Sequence, residues 1–323
     1  MNNSISTSAA GAPKPHDKAL ILVESSFQLL CAYETISRYS LDYVLALRMT
    51  GVGRNDEQLK RTAAALGVRY VEVVARVQKI GFDMLSAWPI LLPLLTRRYK
   101  HLFLGSYFSR FIRILRRGVR AERIWIIDDG LATLLAQAEM VKSGVTYDLV
   151  TCLELPELPN QTILHHKLES ILALNSVNYT DRSLFIGQPF VEMSMMRKED
   201  YDDILAASRE ASKSRLTYVP HRAENAERVA VLQRSFDVDI QYPITCIELD
   251  LVREGKIPRQ VFSVMSTAAF TIARMFPETT VTIFPSLLEG VDPQQRETVD
   301  YARTIRNMKI SETDAATRHD LVR

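Results

Sequence analysis

Short apolar runs alternate with stretches of helical periodicity along most of the chain, and this alternation constrains the fold more than any other feature. The first run, Ala19–Glu24 (ALILVE), is apolar up to its last residue, as expected of a strand buried on both faces of a parallel sheet. Phe27–Ser37 has the spacing of an amphipathic helix, and Tyr43–Leu47 is typical of the next strand. This order predicts a parallel, doubly wound α/β architecture.

The chain is long enough for two such domains, since its 323 residues compare with ~150 residues for a common domain. The alternation is interrupted between Glu154 and Asp181, where ELPELPN supplies breakers, and it resumes at Leu184. We predict a disordered leader over 1–18, an N-terminal domain over 19–165 and a C-terminal domain over 166–323. Two α/β domains of this kind are expected to bind a ligand between the carboxyl ends of their strands.

The composition excludes several broad classes of protein. A formal net charge of +2 gives no overall reason to expect nucleic acid as a partner. The three cysteines lie far apart, which argues against a disulfide framework and against a cysteine-based zinc site. The most apolar stretch, Phe82 to Leu95, is too short to span a bilayer and contains two prolines. These observations predict a soluble, cytoplasmic protein.

Positive charge is concentrated in one segment, because nine Lys or Arg and a single acidic residue lie between Arg97 and Arg123. Helical spacing predicts an apolar face made of Phe108, Phe111, Ile112, Leu115 and Val119. The neighbouring basic face consists of Arg110, Arg113, Arg117 and Arg120. This face is either a solvated side of a packed helix or a surface for an acidic glycan, a lipid-linked acceptor or an anionic membrane. Aromatic residues do not interleave with the arginines, so the pattern favours nucleic acid less than a glycan or a membrane as the partner.

A pair of carboxylates, Asp128 and Asp129, directly follows the apolar run IWII and precedes Gly130. Acidic groups at the carboxyl end of a strand lie where α/β enzymes keep their chemistry, and one of them could act as a general base. Gly130 permits a tight turn. The alternative is that the pair forms a helix N-cap and a turn.

A second candidate site is His221 with Arg222, which follow a strand and precede a helix. Backbone N–H groups at a helix N-terminus favour an anion, and these side chains add donors suited to a phosphate. A surface histidine that caps a loop is the alternative.

Hydroxyl side chains mark two further strand ends. Ser266 and Thr267 follow VFSVM and open a helix, so they could form an anion cradle or an ordinary N-cap. Ser25, Ser26 and Gln28 follow the first strand and could bind substrate hydroxyls or simply begin a helix. The sequence contains no GxxxxGK[ST], GxGxxG, HExxH or GxSxG motif.

The order of these motifs resembles that of bacterial sialyltransferases of glycosyltransferase family 52 and the related bacterial polysialyltransferases. The segments WIIDDGLATL, YVPHR and FSVMSTAAFTI carry the resemblance, which covers most of residues 19–285. In those enzymes a proline usually follows the histidine, whereas here Pro220 precedes His221 and Arg222 follows it.

The resemblance implies a GT-B fold, with two Rossmann-like domains facing a central cleft. It implies inverting transfer of a sialic acid, or a related nonulosonic acid, from a CMP-activated donor to a hydroxyl of a bacterial lipopolysaccharide or capsule. No cofactor and no metal ion is implied, because His221 and helix-end donors would stabilise the leaving phosphate in place of a cation. Peripheral contact with the inner face of the inner membrane is a further expectation.

Residue roles follow from the same resemblance. Asp128 or Asp129 would be the catalytic base, with Asp128 favoured, and His221 would also be catalytic. The residues expected to hold the donor are His221, Arg222, Glu248, Ser266 and Thr267, with Glu248 near the ribose or the cytosine. Two other interpretations stay open: a GT-B enzyme that uses another nucleotide sugar (a CMP-Kdo transferase or an epimerase-like enzyme), or a non-catalytic nucleotide- or glycan-binding protein.

Overall fold

The computed structural model describes residues 11–285 and 293–311, and the chain divides into two compact units. The first unit comprises Met1–Ala173 together with Ile244–Cys246, and the second comprises Leu174–Pro243 together with Ile247–Arg323. Residues 1–10 of the predicted leader, and the last residues of the predicted C-terminal domain, lie outside the described part of the chain.

The first unit is built on seven strands. They are β1 (Lys18–Val23), β2 (Asp42–Met49), β3 (Val71–Val74), β4 (Arg98–Leu104), β5 (Arg120–Ile127), β6 (Asp148–Thr151) and β7 (Ile163–His165). All pairs are parallel, in the order β3-β2-β1-β4-β5-β6-β7. The helices are α1 (Ser26–Tyr39), α2 (Gly53–Leu66), α3 (Ile80–Ser86), α4 (Trp88–Thr96), α5 (Arg110–Gly118), α6 (Leu131–Ser143) and α7 (Glu169–Leu172), with a 3-10 turn at Val77–Lys79.

The second unit repeats this plan with six strands. They are β8 (Asn178–Ile186), β9 (Leu216–Val219), β10 (Asp239–Ile240), β11 (Lys256–Ser263), β12 (Thr280–Ile283) and β13 (Met308–Ile310). They pair in parallel in the order β10-β9-β8-β11-β12-β13. The helices are α8 (Lys198–Ala211), α9 (Ala226–Phe236), α10 (Ile247–Glu254), α11 (Thr267–Met275) and α12 (Pro293–Thr304).

These two sheets confirm the predicted parallel, doubly wound α/β architecture. The central strands are apolar on both faces because helices cover both sides, and residues 19–23 of β1 are all buried. The sequence pattern is wrong at Thr245–Leu249, which it predicts as a strand, because α10 begins at Ile247. Two acidic residues in the first turn and Arg253 in the last turn complement the dipole of this helix.

A buried polar chain attaches the segment before β1 to the first sheet. Trp125 Nε1 donates to His101 Nδ1 at 3.0 Å, and His101 Nε2 lies 3.1 Å from Asp17 Oδ2. Burial lowers the pKa of His101, so the ring is neutral and donates from Nε2. Burial opposes the ionisation of Asp17, but the hydrogen bonds from Lys100, Lys14 N and His101, together with the charge of Lys100, outweigh it and the pKa falls to about 2. Asp17 lies within the predicted leader, and these contacts hold it against β4.

Across residues 11–285 and 293–311, no helix is long and apolar enough to cross a bilayer.

Candidate functional site

The predicted site residues follow strands close to the position in each sheet where the strand order reverses. In the first sheet this switch point lies between β1 and β4, and in the second between β8 and β11. Ligands of open α/β sheets bind outside the carboxyl ends of the strands at such points, because the loops there diverge and leave a crevice.

In the first unit the partly exposed carboxylate is Asp129, directly after β5. Its Oδ1 accepts a hydrogen bond from Gln28 Nε2 at 2.7 Å, and Gln28 Oε1 accepts from Glu24 N at 2.8 Å. A Cβ on Gly105 would lie 2.3 Å from Gln28 Oε1, so the glycine after β4 leaves the space that this amide needs. Burial raises the pKa of Asp129 to about 7, and the Glu24 charge adds to the rise, although hydrogen bonds from Gln28 and Ser106 oppose it. Such a group exchanges a proton near neutral pH.

Asp128, next in the chain, has a different environment. It is 0% exposed, and its two oxygens accept five hydrogen bonds. The donors are Gly130 N (2.8 Å), Thr133 Oγ1 (2.9 Å), Thr151 Oγ1 (2.6 Å), Cys152 N (2.9 Å) and Cys152 Sγ (3.2 Å). A carboxylate offers about four lone-pair positions, so no acceptor capacity is left for a substrate. Asp128 joins the ends of β5 and β6, and its saturated hydrogen bonding argues against the preference for it as the base.

A charged cluster that the sequence patterns do not reveal lies beside Gln28. Glu24 Oε2 pairs with Arg48 NH1 at 2.6 Å and accepts from Ser109 Oγ at 2.9 Å. Arg48 also donates from Nε to Ala75 O at 2.8 Å. The one sequence feature that could have indicated this cluster is Arg48, inside the otherwise apolar run of β2, because a buried cation needs a carboxylate partner.

The other predicted substrate-binding residues of this unit have mostly local roles. Ser25 is the N-cap of α1, where its Oγ accepts from Gln28 N at 3.3 Å. Ser26 is 2% exposed, and its hydroxyl has no hydrogen-bond partner among the described residues. Gly130 has φ +68°, as the predicted tight turn requires, and it is the N-cap of α6. Of these residues the structure brings only Gln28 into contact with Asp129.

In the second unit His221 follows β9. Burial lowers its pKa to about 4, with a contribution from the positive charge of Arg222, so the imidazole is neutral at pH 7. Ala223 N donates to His221 Nδ1 at 3.2 Å. The ring proton is therefore assigned to Nε2, which leaves this N–H as a donor for an anion. Arg222 itself is exposed.

A buried chain of hydrogen bonds connects the loop of His221 to the ends of β8 and β11. Glu224 Oε2 accepts from His221 N at 2.6 Å, and its Oε1 accepts from Tyr218 Oη. The Tyr218 and Tyr201 hydroxyls lie 2.9 Å apart, and Tyr201 Oη accepts from Gln188 N at 3.0 Å. This chain fixes three loops at one edge of the sheet.

Gln188 continues that chain to the loop after β11. Its Nε2 donates to Met265 O at 2.6 Å, and Met265 N donates to Gln188 Oε1 at 2.8 Å. Burial raises the pKa of Glu224 to about 7, despite hydrogen bonds from Tyr218 and from His221 N. This double hydrogen bond ties the end of β8 to the end of β11, and no sequence motif indicates it.

Ser266 is the N-cap of α11, but its hydroxyl makes no capping hydrogen bond. The ordinary N-cap that sequence offered as the alternative is therefore not formed by this side chain. Thr267 is the first residue of α11 and is partly exposed. The N-terminus of α9 differs, because Asn225 Oδ1 accepts from Glu227 N and Arg228 N. The positive end of α11 is the better position for an anion.

Glu248 lies in the first turn of α10 and not in the predicted strand, and it is 2% exposed. Its expected position beside the ribose or the cytosine of the donor stays a prediction. Acidic residues are favoured in the first turn of a helix, which explains the position without a ligand.

The basic segment spans β4, α5 and the start of β5, so Arg120 of the predicted helical face lies in a strand. Phe111, Ile112 and Leu115 are buried as predicted, but Phe108 is 46% exposed because the helix begins only after the N-cap Ser109. Arg113 and Arg117 are exposed, whereas Arg116, which sequence left out of the basic face, stacks over the Tyr147 ring at 4.9 Å.

No group of three or more His, Cys, Asp or Glu side chains with metal-binding geometry occurs in the described part of the chain. His166 is 3% exposed, and burial lowers its pKa to about 4. Its backbone N–H bonds to Thr151 O, which holds it under β6.

Solved structures of other proteins share the architecture. The matches include MurG from Acinetobacter baumannii, with 11% identity, a TM-score of 0.50, and coverage of 95% of this chain and 89% of that one. MnaA from S. aureus, solved with UDP, has 9% identity and a TM-score of 0.56, over 94% of this chain and 87% of its own. The UDP-GlcNAc 2-epimerase of Methanocaldococcus jannaschii, solved with UDP-GlcNAc and UDP, has 10% identity and a TM-score of 0.53, over 91% and 89%.

At such identities the likeness shows the fold alone, and the fold is GT-B, with two Rossmann-like units that each contain a parallel sheet. No protein-family model matches the sequence, and no curated protein matches it either. The resemblance to sialyltransferases of family 52 is wrong, because the structures that match include MurG and UDP-GlcNAc 2-epimerases and point to a different group of GT-B proteins.

Proposed function

We propose that this protein is a nucleotide-sugar glycosyltransferase of the GT-B fold in which Asp129 is the general base. The observation that carries the proposal is the environment of Asp129, a partly exposed carboxylate at a strand end whose pKa burial raises to about 7. A base with this pKa accepts a proton from an attacking hydroxyl at neutral pH and can release it afterwards.

Each step of the transfer has a candidate group. The acceptor oxygen forms a bond to the anomeric carbon, the bond from that carbon to the phosphate oxygen breaks, and the hydroxyl proton passes to Asp129. Attack opposite the leaving group inverts the anomeric centre. The Nε2–H of His221 and the N-terminus of α11 are suited to the charge that develops on the phosphate. Glu224 and Gln188 do not contact the nucleotide in this proposal, but they hold those two loops.

A uridine diphosphate sugar is the donor class that we propose. The supporting observation is that MnaA was solved with UDP and the M. jannaschii epimerase with UDP-GlcNAc and UDP. The test is differential scanning fluorimetry with UDP, ADP, GDP and CMP, followed by incubation of the protein with the sugar form of the best ligand and a panel of glycan acceptors, analysed by mass spectrometry. A protein that no nucleotide stabilises at millimolar concentration would contradict the proposal, since a ligand that binds only the folded state raises its stability.

Epimerisation at C2 of a UDP-sugar is the second candidate, because a group that titrates near pH 7 can also remove a carbon-bound proton. The two activities differ in D2O without an acceptor. An epimerase incorporates deuterium at C2 of UDP-GlcNAc and forms the 2-epimer, whereas a transferase leaves that position protonated.

Peripheral contact with an anionic membrane is part of the same proposal. The end of α3 and the helix α4 present Leu85, Trp88, Ile90 and Leu92 to solvent, at 77%, 49%, 42% and 42% exposure. Arg97 and Arg98 directly follow and are exposed. Apolar side chains next to exposed arginines suit the boundary between acyl chains and anionic headgroups.

A further inference from the structure

The first unit contains a cavity of about 300 Å³ between α5, α6 and the carboxyl ends of β4 and β5. Its floor is apolar, with Leu104, Ile112 and Ile126. Ser106 and Glu139 supply polar groups to its wall. The volume is in the range of small-molecule sites.

Three aromatic rings form one side of the cavity. Tyr107 meets Phe108 edge to face with ring centroids 5.1 Å apart, and it lies 6.2 Å from the Tyr147 ring. The negative face of such a ring attracts the weakly positive C–H groups on the flat side of a sugar. Phe108 is 46% exposed although it lines the cavity, so apolar surface here is accessible to a ligand.

Two arginines give the cavity its charge. The Arg116 guanidinium stacks 4.9 Å from the Tyr147 centroid, and its N–H groups make no ion pair with any residue that the structure describes, so they can bind an anion in the plane of the group. Arg113 is exposed and forms no ion pair within the part of the chain that the structure describes. Glu139 also lines the wall without pairing to either arginine, and a carboxylate there can accept hydrogen bonds from sugar hydroxyls.

The cavity extends to the proposed base. Ser106 lines it, and the same side chain acts on Asp129, whose pKa it lowers. A molecule held by the aromatic rings and the arginines is therefore one side chain away from the carboxylate that titrates near pH 7.

We infer that this cavity binds the acceptor, and that the acceptor is a sugar that carries a carboxylate or a phosphate. The anionic group is bound by Arg113 and Arg116, and the sugar ring lies against Tyr107 and Tyr147. That the bound sugar is the acceptor rests on the proposed function, but the binding of an anionic sugar can be measured without any transfer. This assignment also reduces the number of arginines of the predicted basic face that are expected to contact the acceptor, because Arg110, Arg117 and Arg120 do not line the cavity.

The experiment compares anionic sugars with their neutral counterparts on the intact protein, without donor, by saturation-transfer NMR and calorimetry. Trehalose 6-phosphate against trehalose tests a phosphate, and cellobiouronic acid against cellobiose tests a carboxylate. We expect at least one anionic sugar to bind about tenfold more tightly than its neutral partner, and added salt to reduce the difference.

Arg113→Gln and Arg116→Gln are each expected to weaken that binding about tenfold. The matched control Arg117→Gln, on the same helix but outside the cavity, is expected to change it less than twofold, about the effect of an exposed charge. Circular dichroism and thermal unfolding verify that all three variants fold. Equal binding of anionic and neutral sugars, no binding of any sugar, or equal effects of all three variants would each overturn the inference.

The two proposals fail in different ways. Arginine-dependent binding of an anionic sugar without transfer from any nucleotide sugar contradicts the proposed function and leaves the cavity assignment intact. Transfer that Arg113→Gln and Arg116→Gln do not affect contradicts the cavity assignment alone.

Discussion

A glutamine lies near the end of the first strand of each sheet, and the two side chains serve different partners. Gln28 in the first unit donates to the carboxylate of Asp129 at 2.7 Å, and Gln188 in the second donates to the main-chain oxygen of Met265 at 2.6 Å. Each side chain connects its own strand end to a loop from another strand. The first sheet thus uses its glutamine to hold an acid, and the second uses it to hold a backbone segment.

The difference extends to the carboxylates. Asp129 is partly exposed, whereas Glu224 is 4% exposed and bonded to Tyr218 and to the backbone of His221. Burial raises both pKa values to about 7. The two carboxylates therefore have similarly raised pKa values but different roles. Asp129 can exchange protons with a ligand, and Glu224 fixes a loop. Exposure, and not the pKa alone, distinguishes them.

The largest expected effect is on turnover. Asp129→Asn keeps the shape of the side chain and its contact with Gln28 but cannot accept a proton. We expect transfer to fall about 10³-fold with the nucleotide affinity unchanged, because general-base catalysis typically contributes that much. Rates with saturating donor, together with nucleotide binding by calorimetry, check this. Retention of more than a tenth of the rate would remove Asp129 from the mechanism.

The neighbouring substitution should act on stability. Asp128→Asn replaces an acceptor of five hydrogen bonds with a group that must place an N–H against donors. We expect a loss of about 3 kcal/mol in the free energy of unfolding, measured with urea, while Asp129→Asn loses none. A stable Asp128→Asn protein that is inactive would reverse the assignment of the two aspartates.

The pH dependence of stability should show a smaller effect, in which substitution of Asp129 raises the free energy of unfolding, whereas substitution of Asp128 lowers it. Asp129 and Glu224 have folded-state pKa values near 7, so their contribution to stability is full below about pH 4 and is lost as the pH rises through 7. The pKa values of His166 and His221 are lowered to about 4, so their contribution to stability is lost as the pH falls. This opposite dependence masks the trend in the wild type. Difference measurements separate the two groups.

Asp129→Asn should therefore be more stable than the wild type at pH 8 by about 1–2 kcal/mol, after allowance for solvent screening, and equal to it near pH 4. Chemical unfolding at both pH values tests this. A difference that does not change with pH would show that burial does not perturb Asp129.

The glutamines themselves allow a direct comparison. Gln28→Leu removes a donor that favours the ionised form of Asp129, so the acid limb of the rate profile should move up by about one pH unit, equal to about 1.4 kcal/mol. Gln188→Leu should leave that limb in place and weaken nucleotide binding. Profiles of kcat against pH for both variants, with nucleotide affinities, provide the readout. The comparison fails where both variants shift the acid limb equally.

The smallest expected effect concerns the exposed apolar row of α3 and α4. Trp88→Ser should reduce binding to vesicles that contain anionic lipid by several-fold, about 1 kcal/mol, because the indole loses its contact with the headgroup boundary. Co-sedimentation with neutral and anionic vesicles measures it, and Tyr242→Ser, an exposed aromatic in the second unit, is the control. Equal losses in both variants would argue against a specific surface.

The sequence predicts the sheets well where buried parallel strands are continuous apolar runs, as in residues 19–23 of β1 and residues 124–127 of β5. It also identifies the strand ends that carry Asp129, His221 and Ser266. It does not separate Asp128 from Asp129, because three of the five donors to Asp128 come from Thr151 and Cys152, at the end of β6. This strand has four residues and no distinct sequence pattern.

The supporting residues were harder to predict. Glu24 with Arg48, and Tyr201 with Tyr218, are brought together by strand pairing and helix packing over long separations in the chain. Glu248 was assigned to a strand end because IEL is too short an apolar run to distinguish a strand from a helix.

The two tryptophans of the chain give this fold a built-in optical readout. Trp125 is fully buried and hydrogen-bonded to His101, whereas Trp88 is 49% exposed, so the first should emit at shorter wavelength than the second. Both belong to the first unit, and the second unit has no tryptophan. A tryptophan fluorescence melt therefore follows the unit that carries Asp129 and is silent for the unit that carries His221. A calorimetric transition that has no counterpart in the fluorescence melt then belongs to the second unit.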